Sequence, residues 1–195
     1  MITTIIFDLS EVYLKGIFGS HTNLEKKLGF SVADEYFYNE EFNQFMLGQL
    51  TEDDYWRSII RKNSWDISIE ALKQIARKNF IEIKGTRKII EKLKEMEYTL
   101  VLLSNHGKEW IEYCEKKYSY HKLFQHIFYS YQLKLSKPNK KIFITLLNTL
   151  HLKPQECIFI DDHAKNILAA KKLGLKTILF TSPENLKKEL KIALE

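Results

Sequence analysis

The chain has 195 residues, a formal net charge of +5, and 45% hydrophobic side chains. That is enough apolar material for a real core, and with seven glycines and three prolines among so many aromatics the composition excludes a disordered or collagen-like chain. No apolar run approaches the roughly 18 residues of a membrane span, and the short apolar run at the N-terminus has no basic region before it, so neither a membrane partner nor a signal peptide is expected.

The lysines alternate with glutamates on helical patterns, as in 91–95 and 187–191, and read as solvated helix faces. No nucleic-acid motif accompanies them, so no nucleic-acid partner is expected; a basic surface suits a small anionic substrate instead. Cys114 and Cys157 lie far apart without a CxxC pair, which points to a reducing, cytoplasmic compartment, and Cys157, opening an apolar strand, reads as a buried thiol.

In chain order, residues 2–7 are β-branched and aromatic and predict a buried strand ending at Asp8. Residues 9–19 predict a turn and flap, with Gly16 and Gly19 as flexible points. The next 60 residues are helical in pattern. A helix from Thr22 stops at Gly29, one over 39–47 stops at Gly48, a third follows a Thr51 cap, and a fourth spans 68–79. After Gly85 the grammar alternates. Helices are predicted from Gly85-Thr86, over 107–118, 138–150 and 164–173, and from Ser182-Pro183. Between them lie strands at 99–103, 127–130, 157–160 and 177–180. Such alternation builds a parallel sheet with helices on both faces.

Four strand or loop ends carry chemistry. Asp8 ends the first strand, where a carboxylate can start a turn, bind Mg²⁺ or attack phosphorus. Ser104-Asn105 ends the second, as a helix N-cap or as donors to an anion. Lys137 stands before Pro138, as a surface lysine or as the counter-charge of a phosphate. Asp161-Asp162 ends the fourth strand, where adjacent carboxylates make a cation a natural partner.

Together, Phe7-Asp8-Leu9-Ser10, Leu102-Leu103-Ser104-Asn105, Ser136-Lys137-Pro138 with Ile142-Phe143, and Phe159-Ile160-Asp161-Asp162 with Asn166, Ala169-Ala170 and Leu173-Gly174 resemble the four motifs of the haloacid dehalogenase-like superfamily. Within it the chain is most similar to the branch of glucose-1-phosphate phosphatases and the phosphatase domain of soluble epoxide hydrolase, and the stretch 48–51 followed by Tyr55-Trp56 resembles that branch too. The resemblance implies an α/β fold: a Rossmann-like parallel sheet of about five strands, residues 1–15 and 83–195, with an inserted α-helical cap over 16–82. Gly16 and Gly85 lie near the two linkers as candidate hinges.

It also implies a Mg²⁺-dependent phosphatase acting on a small phosphorylated metabolite. Asp8 would be the nucleophile, and Ser104 and Lys137 would hold the phosphoryl group. Asn105 would orient Asp8 or a phosphate oxygen. Asp8, the Ser10 carbonyl, Asp161 and Asp162 would hold Mg²⁺, with Asn166 tying the metal loop down. One departure matters. Most phosphatases of the superfamily carry a second Asp two residues after the nucleophile, as general acid and base, whereas relatives in the resembled branch often have Gly there; here it is Ser10, and general acid/base catalysis is worth roughly 10²–10⁴-fold. Glu11, His106 and His163 are the candidate substitutes. The alternatives are a substrate with a good leaving group, or a catalytically weak or inactive binding protein on the same fold. Dehalogenase chemistry is disfavoured by the intact Asp161-Asp162 pair.

The aromatics of the helical block, Phe18, Tyr36, Phe37, Tyr38, Phe42, Phe45, Tyr55 and Trp56, are expected mostly in its core. Glu40, Glu41 and Asn43 are expected in solvent or on substrate hydroxyls. Oligomeric state is not legible.

Overall fold

The structure, a computed structural model, describes residues 1–17, 20–29 and 39–195. Phe18, Gly19, Tyr36, Phe37 and Tyr38 lie outside the described residues. Five strands form one fully parallel sheet: β1 (Thr4–Phe7), β2 (Thr99–Ser104), β3 (His126–Tyr129), β4 (Cys157–Asp161) and β5 (Lys176–Leu179), in the order β3-β2-β1-β4-β5. β1 is central, and strand order reverses beside it, so β1 and β4 flank the crevice where such sheets bind ligands.

Alternate residues along each strand feed opposite layers, as a period of two requires. Ile5, Phe7, Leu100, Leu102, Ile158 and Ile160 face one apolar cluster, and Ile6, Val101, Leu103 and Phe159 the other. Both faces are covered, which is why the strands read as continuous apolar runs. Helices α5 (Thr86–Glu95), α6 (Lys108–Tyr118) and α10 (Pro183–Leu194) contribute to the first layer; α8 (Lys140–Thr149) and α9 (Ala164–Lys171) to the second.

Among the described residues, four helices stand between β1 and α5: α1 (Ser20–Leu28), α2 (Glu40–Met46), α3 (Glu52–Asn63) and α4 (Ile69–Lys78). Each of the last three starts on a side-chain cap, with Asn39, Thr51 and Ser68 accepting from the backbone N–H of Phe42, Asp54 and Ala71. A single turn, α7 (Ser130–Leu133), follows β3 and was not foreseen, because four residues carry no readable period. α8 begins two residues later than predicted: Asn139 caps it by accepting from Lys141 N–H, and Pro138 stays outside.

The helices between β1 and α5 do not build a separate core. Phe45, Tyr55 and Trp56 are buried as expected, and they pack around Trp110 of α6 in the same cluster as Phe7. The Phe45 ring stacks on Tyr55 and lies directly on Gly107, where an added Cβ would fall 2.1 Å from a ring carbon. Below it the Glu52 carboxylate, 1% exposed, accepts from the indoles of Trp110 (2.8 Å) and Trp56 (3.3 Å) and pairs with Arg77. One buried charge thus ties α3 and α4 to α6.

Both cysteines are buried free thiols, pushed up by burial to about 12 for Cys114 and about 11 for Cys157. Among the described residues, no helix is long and apolar enough to cross a membrane.

Gly107→Ala is expected to destabilise the fold by about 1–3 kcal/mol through overpacking against Phe45. Adding Phe45→Leu should cost less than the two single changes combined, because both act in one contact. Urea unfolding of the four proteins checks this, and strict additivity would show that Phe45 and Gly107 do not meet.

Candidate active site

β1 delivers Asp8 to the crevice. The Asp8 N–H still donates to Ile160 O (2.9 Å), so the backbone stays in sheet geometry up to the carboxylate. A tight turn follows, in which Leu9 O accepts from the N–H of Tyr13 and Leu14, and Glu11 takes a positive φ of 55°. The Asp8 Oδ1 accepts from Leu9 N–H (2.6 Å) and from Lys137 Nζ (2.8 Å), and Oδ2 carries neither bond.

Lys137 is the centre of charge. Its ammonium, on a side chain 1% exposed, also lies 2.7 Å from Asp161 Oδ2. Burial alone would push its pKa down, but Asp161 and Asp8 outweigh that and hold it above its ordinary value. The surface reading of this lysine is therefore excluded. Asn105 accepts from Lys137 N–H and donates to Lys137 O, both at 2.9 Å. Expected to orient Asp8 or a phosphate oxygen, its amide holds the Lys137 backbone and borders the cavity.

Asp161 is saturated. Its Oδ1 accepts from His163 N–H (2.8 Å) and Asn166 Nδ2 (2.9 Å), and its Oδ2 from Lys137 and Asn166 (3.1 Å). Asn166 thus ties down the loop as expected, through Asp161 rather than Asp162. Asp162 is half-buried and lines the cavity. Ser104 ends β2 fully buried, outside the residues that line the cavity, and among the described residues its Oγ has no hydrogen-bond partner. A buried hydroxyl without a partner is costly unless a ligand satisfies it.

Ser10 Oγ meets His106 Nε2 at 2.9 Å across the crevice. His106 is 4% exposed, and burial with Lys137 nearby lowers its pKa to about 4, so the ring is neutral near pH 7. Ser130, overlooked in the sequence, holds this corner: its Oγ accepts from His106 N–H (3.0 Å) and donates to Met46 O. Nothing local in sequence could mark it, since both partners are remote in the chain.

Asp8, Ser10, Asn105, His106, Lys137 and Asp162 line a cavity of about 300 Å³ together with Phe42, Asn43, Met46 and Trp110, while Ser104 and Asp161 are not among its lining residues. Asn43 thus lies on the cavity wall, while Glu41 pairs with Lys62 away from it. Ligand atoms of Asp8, Asp161 and Asp162 lie within 4.8 Å of one another. Burial, then Asp161, raises Asp8 to about 7 despite Lys137, and raises Asp162 to about 6. Three carboxylates facing one ammonium are a donor set for a hard divalent cation.

An unfolded Asp titrates near ~3.9. Asp8 titrates higher in the fold, so without metal its contribution to stability is full below about pH 4 and lost as pH rises through about 7. In metal-free protein at pH 8, Asp8→Asn is therefore expected to raise Tm, by at least the roughly 2–4 °C that 1 kcal/mol gives in a chain of this size. The difference should vanish at pH 4. Thermal unfolding at both pH values in chelator measures it; a lower Tm for Asp8→Asn at pH 8 would contradict the electrostatics.

Comparison with known proteins agrees with this geometry. The D-ribitol-5-phosphate phosphatase of Bacteroides thetaiotaomicron is 27% identical over 207 residues, spanning 95% of this chain and 93% of that protein. The bifunctional epoxide hydrolase 2 of Mus musculus is 30% identical over 105 residues, half of this chain but only 18% of its own length. Among solved structures, a HAD family enzyme of B. thetaiotaomicron in complex with magnesium and inorganic phosphate superposes with a TM-score of 0.81 at 24% identity, covering 93% of this chain and 96% of that one. At that identity the superposition speaks for the fold alone. The family model for haloacid dehalogenase-like hydrolases matches residues 5–180, nearly the whole of the chain just described, and the protein belongs to that family.

Proposed function

We propose that the protein is a Mg²⁺-dependent phosphatase of small phosphomonoesters, sugar phosphates or similar metabolites, working through an aspartyl-phosphate on Asp8. The observation that carries this reading is the buried Asp8–Lys137–Asp161 triad with Asp162 beside it, bordering a cavity. The metal would sit among Asp8, Asp162, the Ser10 carbonyl and Asp161, the last acting through its fixed carboxylate. Mg²⁺ held there would supply positive charge to offset the negative charge of the phosphoryl group.

The chain's own groups account for the rest. Leu9 N–H and Lys137 hold Asp8 by Oδ1, which leaves Oδ2 as the attacking atom. Lys137 offsets charge gathering on the transferring phosphoryl group, and the partnerless Ser104 hydroxyl is a donor for one of its oxygens. Attack forms the Oδ2–P bond and breaks the bond to the leaving oxygen; water then cleaves the aspartyl-phosphate. Residues 16–82 would act as a cap over a core of 1–15 and 83–195, its α2 supplying the wall that meets the leaving group. The relatives' phosphatase activity supports the substrate class.

The competing reading is a catalytically weak or inactive binding protein, motivated by Ser10 in place of an acid, and a site with no room for phosphate would favour it. The cavity of about 300 Å³ beside Asp8 weighs against it.

Phosphate release in Mg²⁺ from acetyl, aryl and alkyl phosphates tests the proposal. Wild type should turn over the activated esters, and Asp8→Asn should abolish turnover. Lys137→Met should lower kcat at least 10²-fold, the scale of losing one electrostatic contact to the transition state. Wild type indistinguishable from Asp8→Asn on every ester would refute it.

A further inference from the structure

Counting how the polar groups around the cavity are spent leaves few free to meet a substrate. Glu11 accepts from Gly16 N–H (2.8 Å), Asn105 is spent on the Lys137 backbone, Asn166 on Asp161, and Lys137 on two carboxylates. The Ser10 hydroxyl, two residues past Asp8, keeps two positions open: among the described residues its partner is His106 Nε2, and a hydroxyl has three hydrogen-bonding positions to fill.

The imidazole has no freedom of its own. Its ring stands edge-on between Phe80 (6.4 Å) and Trp110 (6.0 Å), and its Nδ1 is buried with no partner among the described residues. Two tautomers are conceivable for a neutral ring. With the proton on Nδ1, Ser10 donates to Nε2 and a buried N–H is left unpaired. With the proton on Nε2, the ring donates to Ser10 Oγ and only an acceptor is left bare. Buried donors without partners are the rarer defect. In the second tautomer the Ser10 proton cannot point at the ring, and turns to the cavity.

We propose that His106 is a positioning residue whose Nε2–H donates to Ser10 Oγ and so aims the Ser10 hydroxyl proton at the leaving-group oxygen of the ester. This rests on the phosphatase reading above. The Asp8 Oδ2–P bond forms, the P–O bond to the leaving group breaks with its electron pair on oxygen, and the departing anion is hydrogen-bonded by Ser10 and later protonated by water. Ser10 keeps its proton throughout. A hydrogen bond replaces a proton transfer, so the site favours esters whose leaving groups are stable as anions, such as acyl, aryl and anomeric phosphates.

The test is kcat/KM in Mg²⁺ for aryl phosphates of rising phenol pKa. Ser10→Ala should steepen the dependence on leaving-group pKa, with a loss of about tenfold at the poor end, the scale of one hydrogen bond. His106→Phe should reproduce that steeper slope, the double variant should lose no more, and His106→Gln, which keeps a side-chain N–H, should recover part of it. A purely structural His106 would lower all esters equally; parallel lines, or losses that multiply, would overturn the proposal. The ¹⁵N shifts of His106 decide the hydrogen bond without turnover. A proton on Nε2 in wild type is expected, and a proton on Nδ1 would overturn the proposal. A wild type that releases no phosphate from any ester defeats the phosphatase reading itself, and the catalytic part of this proposal with it.

Discussion

One ammonium between two carboxylates organises this molecule. Lys137 reaches Asp8 at 2.8 Å and Asp161 at 2.7 Å in a place where all three side chains are withdrawn from water. A buried charge of either sign is expensive alone, and removing the ammonium would leave the carboxylates uncompensated. The surrounding bonds exist to keep this arrangement: Asn105 grips the Lys137 backbone from the end of β2, and Asn166 grips Asp161 from α9. With one positive group for three carboxylates, the cluster still lacks charge, and that deficit is what a divalent cation would fill.

The sheet order makes the triad possible. β1 lies between β2 and β4, so a strand from the start of the chain is paired with strands almost 100 and more than 150 residues later. All run parallel and end on the same side, which brings Asp8, Ser104 and Asp161 together. The wall opposite is set by packing. Phe45 rests on Gly107, next to His106, and Ser130 joins His106 N–H to the end of α2. The geometry of the cavity is therefore inseparable from the aromatic core around Trp110, and changes in that core will be felt in the site.

Much of this was legible in order along the chain. The strands at 99–103, 157–160 and 177–180 were marked by β-branched and apolar runs, and the cap at Thr51 by residue type; each is local physics. Asp8, Lys137 and Asp161-Asp162 were legible as chemistry because each is a charged residue at an element end. The partner each would take was not. Asn105 looked suited to a phosphate and is spent on a backbone segment 32 residues away. α7 was invisible, and with it Ser130.

The sequence by itself determined the alternation that makes a parallel α/β sheet, the long helical stretch after the first strand, and the identity of the charged groups at strand ends, because these rest on periodicity and local propensity. Tertiary structure alone decided which groups meet: that Lys137 is buried between Asp8 and Asp161, that Asp161 is saturated while Asp162 borders the cavity, that the helices of 20–78 share one core with the sheet, and that Ser10 pairs with His106. The physical reason is separation. Ser10 and His106 are 96 residues apart, and their contact depends on strand order and on the volume of a phenyl ring against a glycine, neither of which is written in any local pattern.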